Sequence, residues 1–251
     1  MRRWLVLLGL LYASISVSFA ADIEELRVGI TPFSPPFVIQ SNLETFYGFD
    51  ISTMDYVCTA LEKKCVYIPL DYDDLIEATH LGLVDVAIGS IVITITRSQF
   101  VLLSIPYLPS NGQFIGKMDF NHEKPFNFQS LGGLSVGVLK GSKFEDNLLH
   151  IQAEKKPKII EYEKDSDMVE ALRIGRIDLA FVGEPKARYW SNHSGGQFKR
   201  IGKPFYVGYG FSIAVNPNDP ILLRDVNAAL IRYRESSDFK QNYDMYFRAD
   251  F

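Results

Sequence analysis

The chain has 251 residues, 47% of them hydrophobic and 22% charged, with a formal net charge of −4. This is the composition of a folded protein with core enough for one large or two modest domains, and it excludes a disordered chain. A mildly acidic chain without a basic run is a poor partner for nucleic acid or an anionic membrane.

Residues 1–20 read as a secretory signal. Arg2-Arg3 make a charged start, an apolar run follows, and Ser18 and Ala20 stand at −3 and −1 of a cleavage site. The run is shorter than the ~20 apolar residues of a membrane helix, and no Cys follows it. Its removal takes two arginines and leaves a net charge of −6. The periplasm of a two-membrane bacterium is the implied destination. Two cysteines, Cys58 and Cys65, remain. An even number in an exported chain favours a disulfide, with two free thiols as the alternative.

Leu26–Ile30 alternates as a first strand. Residues 31–37 carry three prolines and predict a stiff loop without regular structure. Ile51, Met54, Val57, Cys58 and Leu61 mark one face of a helix that Asp50 can cap. A strand over 66–70 and a helix through His80, ended by Gly82, come next. Val84, Val86 and Ile88 then alternate as a strand that loses bulk at Gly89-Ser90. Thr94 opens a helical turn, and Arg97 lies three residues on. Open N–H groups beside a guanidinium suit a carboxylate. An ordinary strand-to-helix junction, with Arg97 paired to a local acid, is the competing reading. The βαβαβ order predicts a parallel sheet that binds ligands at its C-terminal strand ends.

The pattern then repeats. A crossing strand over 113–116 and a connector over 119–130 lead to a strand from Leu134. Gly141-Ser142 opens a helix expected to reach about residue 155. The turn lacks P-loop spacing. A strand over 159–162, a helix over 166–176 and a strand over 177–182 follow, ending at Gly183-Glu184-Pro185. Residues 205–215 read as one returning strand, and helices over 219–235 and 237–247 close the chain.

The stretch holding Gly89, Ser90, Ile93, Thr94 and Arg97, with GFDISTMDYVCTAL before it and SIPYLPSNGQFI after it, resembles a known family. It is similar to the periplasmic solute-binding proteins of polar amino-acid ABC transporters, of the lysine/arginine/ornithine-, histidine- and glutamine-binding kind. The resemblance runs from about residue 26 to 247. It implies an α/β, two-lobed periplasmic-binding-protein fold, each lobe a mixed, mostly parallel sheet flanked by helices. The expected lobes are 21–112 with 208–251, and 113–207, joined by a two-strand hinge. It also strengthens the Cys58–Cys65 disulfide.

The resemblance implies that Arg97 clamps the ligand's carboxylate beside Gly89 and Ser90. Phe33, next to Ser34, and Tyr72 would be aromatic walls. Leu139, Ser142 and Lys143 would close over the ligand. Three positions depart from the family pattern. The ammonium-binding Asp falls on Gly183, with Glu184 adjacent as a possible substitute. The Ser or Thr that assists it falls on Val92. The acid that greets a basic side chain falls on Thr31. A buried ammonium without a partner costs several kcal/mol, so either Glu184 takes over or the ligand is no ordinary α-amino acid.

The leading reading is a monomeric binder that captures a polar amino acid of the arginine/glutamine class and delivers it to an inner-membrane ABC permease, without cofactor or metal. The alternatives are a dehydratase-like enzyme on the same fold and a binder of some other carboxylate. Against an enzyme, the four His are scattered and no HExxH motif is present.

Overall fold

The computed structural model describes residues 23–42, 45–122 and 125–248. The signal-peptide reading of residues 1–20 lies outside them.

The first half begins with β1 (Glu25–Ile30), a short antiparallel sheet of β2 (Phe33–Ser34), β3 (Val38–Gln40) and β4 (Phe46–Tyr47), and then α1 (Phe49–Ala60). β5 (Lys64–Pro69), α2 (Asp74–His80), β6 (Val86–Val92) and the short β7 (Leu102–Leu103) follow. The chain then crosses to β8 (Asn111–Lys117), β9 (Ser135–Leu139), α3 (Lys143–Leu149) and β10 (Lys158–Tyr162). Next come α4 (Asp165–Arg173), β11 (Leu179–Gly183), α5 (Glu184–His193) and β12 (Phe198–Tyr206). It returns through β13 (Phe211–Val215) to α6 (Pro220–Glu235) and α7 (Ser237–Tyr243).

Two five-stranded sheets result. The first has the order β5-β1-β6-β13-β7, and the second β10-β9-β11-β8-β12. In each, the strands that start a βαβ unit run parallel, and the strands beside the crossing run antiparallel. Helices cover both halves, so the central strands are apolar apart from Ser90 and Ser212. Every residue of β6, β11 and β13 is buried. Full burial of each Val, Ile or Phe stabilises by roughly 1.5–3 kcal/mol.

Five sequence expectations are corrected. Phe33-Ser34 is a strand after all, because the prolines flank it and leave both N–H groups free to pair with Ile39 and Val38. Asp50 does not cap α1; Gly48 is the cap residue, and the Asp50 carboxylate turns inward. β6 does not stop at Gly89-Ser90 but continues to Val92. α3 ends at Leu149, since Phe144 and Leu148 are its only buried anchors and residues 152–156 bring only Ala153 as an apolar side chain. Residues 205–215 are not one strand; β12 and β13 are separated by a turn holding Gly208 and Gly210, both at positive φ.

The crossing is built on Ser110. Its hydroxyl donates to the Val207 carbonyl and accepts from Gly210 N at 2.9 Å. Its carbonyl accepts from Val207 N at 3.0 Å, and Phe211 N donates to Leu108 O at 2.8 Å. Asn111 and Gly112 already pair in the second sheet, so the chain changes sheets just before the expected strand near Gln113. Gly208 has φ +70, and a Cβ there would lie 2.3 Å from Val92 Cγ1, so only glycine fits. Cys58 and Cys65 are joined, tying the end of α1 to β5.

Candidate ligand-binding site

β6 carries a bulge where it faces the second half. Ile91 pairs with Ser212 and Ala87 with Ala214, so Ile88, Gly89 and Ser90 lie opposite Ile213 alone. Ser90 takes up the slack at φ +52, in the left-handed region. The Ser90 N–H is engaged within the protein. Ser90 N donates to Asp50 Oδ2 at 3.1 Å, and the Tyr107 hydroxyl donates to Asp50 Oδ1 at 2.8 Å. Asp50 is fully buried. Burial pushes its carboxyl up to about 7, while the bonds from Tyr107 and Ser90 and the charge of Lys186 pull it down.

Arg97 stands where the turn was predicted. Its N–H donates to Thr94 Oγ1 at 3.1 Å. The guanidinium donates to Val92 O at 2.9 Å, to Gly141 O of the second half at 2.9 Å, and to the Tyr72 hydroxyl at 3.3 Å. Arg97 also lies 5.8 Å from the Tyr72 ring centroid. Among the described residues its hydrogen-bond partners are carbonyls and a phenol, not an acid. The alternative of an arginine spent on a local ion pair is thereby set aside.

The opposing turn meets it closely. Leu139 is buried in one cluster with Tyr72, Leu75 and Ile91 of the first half. Gly141 has φ +69, and a Cβ there would come within 2.8 Å of Asp73 Cβ, so glycine lets the backbone reach Arg97. Lys140 bridges the halves to Asp73 at 2.8 Å. Ser142 is buried and caps α3 by accepting from Glu145 N at 3.2 Å. Lys143 is held in an ion pair with Asp146, so it faces an acid of its own helix.

Gly183 is buried, and a Cβ on it would touch Phe211 Cζ at 3.3 Å and Phe144 Cζ at 3.5 Å. Aromatic rings thus flank Gly183, where the resemblance puts the ammonium-binding Asp. Glu184 does not turn in to replace it; the ion pair with Arg188 at 2.5 Å holds it, and Arg188 also donates to Phe247 O across the halves at 3.1 Å. Val92 is fully buried. Phe33 is 39% exposed, its ring centroid 6.3 Å from that of Trp190. Thr31 is buried with its Oγ1 unpartnered.

Ser34 leads to what sequence reasoning missed. Its hydroxyl donates across the seam to Asp165 Oδ2 at 3.0 Å. Lys186 Nζ donates to the same oxygen at 2.7 Å, and both side chains are almost fully buried. Asp165 Oδ1 has no partner. Asp165 opens a helix and Lys186 follows a helix-start proline, so both read as surface charges. Asp50 and Tyr107 were missed as site residues too, the first because it resembled a cap.

Two sheet-based halves that meet across a seam of buried polar groups define a solute binder of the two-lobed kind. The chain belongs to the bacterial extracellular solute-binding proteins, family 3, whose model it matches over residues 26–249. It is 28% identical to the arginine-binding periplasmic protein of Mannheimia haemolytica, over 95% of this chain and 96% of that one. Among solved structures, an arginine third transport system periplasmic binding protein from Legionella pneumophila is similar at TM-score 0.81 and 31% identity, covering 89% of this chain and all of that one. An ancestral arginine-binding protein bound to glutamine is similar at TM-score 0.81 and 26% identity, covering 90% and 98%.

Proposed function

We propose that this protein captures a polar amino acid by its carboxylate, between the two lobes, in the periplasm, and hands it to an inner-membrane ABC permease as a monomer. The observation that carries this reading is Arg97, a guanidinium at the seam with carbonyl and phenol partners in place of an acid. A carboxylate arriving there meets a planar fork of donors. Tyr72 lies beside it to cover the ligand's side chain, and Leu139, Gly141 and Ser142 come from the opposite lobe. The segments at Ser110 and at Val207–Gly210 act as the hinge. Ligand contact with both lobes shifts the population toward closure, by no more than its difference in affinity for the two states. Binding rather than catalysis is supported by the relatives, which are named as binding proteins.

One observation favours a second reading. A Cβ at Gly183, where the resemblance puts the family's ammonium-binding Asp, would meet the rings of Phe144 and Phe211, and the lack of a carboxylate there suits a ligand without an α-ammonium. The test is a thermal-shift panel of the twenty amino acids, ornithine, citrulline, dicarboxylates and prephenate. At 100 times the dissociation constant a ligand adds about 2.7 kcal/mol, which raises Tm by roughly 5–10 °C for a protein of this size. A shift with amino acids that disappears in Arg97→Ala supports the first reading. Silence from every amino acid, with a shift for a carboxylate that lacks the ammonium, moves the assignment to the second.

A further inference from the structure

The Lys186–Asp165 pair is the polar feature of the seam that the proposed carboxylate clamp leaves unused. Asp165 belongs to α4 and Lys186 to α5, both in the second lobe, while the third member, Ser34, comes from the first. The pair shares no hydrogen-bond partner with Arg97. It lies near enough to Asp50 for the charge of Lys186 to act on that carboxylate, and Asp50 in turn holds Ser90 on the strand that leads to Arg97. Arg97 and the pair each make a bond across the seam, Arg97 to Gly141 O and Asp165 to the Ser34 hydroxyl.

Its hydrogen-bonding capacity is half spent. An ammonium has three donors, and Lys186 uses one on protein. Asp165 uses Oδ2 twice and leaves Oδ1 unpartnered in a residue only 2% exposed. An unpartnered buried acceptor is costly, which makes it an acceptor in want of a donor. Thr31 Oγ1, also buried and unpartnered, is a further polar group from the first lobe.

We propose that Lys186 and Asp165 form the specificity element of the cleft, selecting a neutral side chain that both donates and accepts, a carboxamide or ureido group, over a guanidinium or a carboxylate. This rests on the amino-acid-binding reading above. A carboxamide oxygen accepts from Lys186 Nζ, and its N–H donates to Asp165 Oδ1, so both spare positions are satisfied without adding charge. A guanidinium at Oδ1 has no acceptor to offer and brings a second cation beside the buried ammonium. A carboxylate satisfies Lys186 but sets a second anion against Asp165. Discrimination comes from the unfavourable element as much as from the favourable one. Relatives named for arginine thus share the fold with a chain whose cleft carries a buried lysine.

The test is titration calorimetry of the ligand-stripped mature protein with glutamine, citrulline, arginine and glutamate. Glutamine or citrulline is expected to bind at least tenfold tighter than the two charged amino acids. In Lys186→Met the bare Asp165 carboxylate should recruit the guanidinium, so arginine gains relative to glutamine. If that variant does not fold, Lys186→Met with Asp165→Asn removes both buried charges together, and the tenfold preference should vanish while binding through Arg97 remains. Arginine or glutamate binding as tightly as the amides in the unaltered protein overturns the inference but leaves the amino-acid-binding reading intact. So does a double variant that keeps the original ranking, since the pair would then be a purely structural one. Failure of every amino acid to bind overturns both.

Discussion

Asp50 makes stability depend on pH in a direction opposite to that of an ordinary surface carboxylate. Its carboxyl is fully buried between Tyr107 and Ser90, and its pKa rises from 3.8 to about 7. Between these values the folded state holds a proton that the unfolded state has lost. Stability must then fall as pH rises from about 4 to 7, because the folded state binds more protons. Three pKa units at 1.36 kcal/mol each set the loss at about 4 kcal/mol, an upper bound. Asp50→Asn has no such proton and keeps a neutral amide in place of the neutral acid. Chemical denaturation of both proteins at pH 4, 5.5, 7 and 8 isolates the group, since every other titration is common to the pair. The variant should match the parent near pH 4 and be increasingly more stable relative to it up to pH 8. A difference that stays constant with pH would refute the reasoning, because Asp50 would then hold the same charge in both states.

Two further outcomes test the frame. Replacing both cysteines, as Cys58→Ser with Cys65→Ser, reopens a short loop and should cost about 2–3 kcal/mol, read from denaturation with and without reductant; identical curves would show that the bond is not formed in solution. Gly208→Ala places a Cβ against Val92 Cγ1 and Ile93 O at positive φ. It should cost at least about 1 kcal/mol from the left-handed backbone, and weaken any ligand that needs both lobes, while a variant indistinguishable from the parent would mean that this turn adjusts freely.

Much of the fold was legible because it rests on short-range patterns. The alternation of Leu26, Val28 and Ile30 predicted β1, and the helix expected over 166–176 is α4, with Met168, Val169, Ala171 and Leu172 buried. Two of the errors arise from strand pairing. Phe33-Ser34 is a strand because β3 lies beside it, and the bulge at Ser90 exists because β13 offers one residue to three. The bulge depends on pairing between residues more than 100 positions apart, which leaves no local trace. The site was legible where it follows a local rule, as with Thr94 holding the turn to Arg97. It was illegible at Asp165 and Lys186, whose burial depends on two helices meeting Ser34 from the other lobe. A lysine three residues into a helix reads the same whether it faces solvent or a seam.

The position of β13 has a consequence for the order of folding. The strand is laid between β6 and β7 in the first sheet, yet its residues follow the whole second sheet in sequence. Residues 111–206 supply all five strands of the second sheet, which can complete itself as soon as they are available. The first sheet stays split until the last fifth of the chain arrives, with the inner edge of β6 unpaired meanwhile. Such an edge is an invitation to aggregate. Folding is therefore ordered inside-out along the chain: the middle closes first, and β6 waits longest for its partner strand.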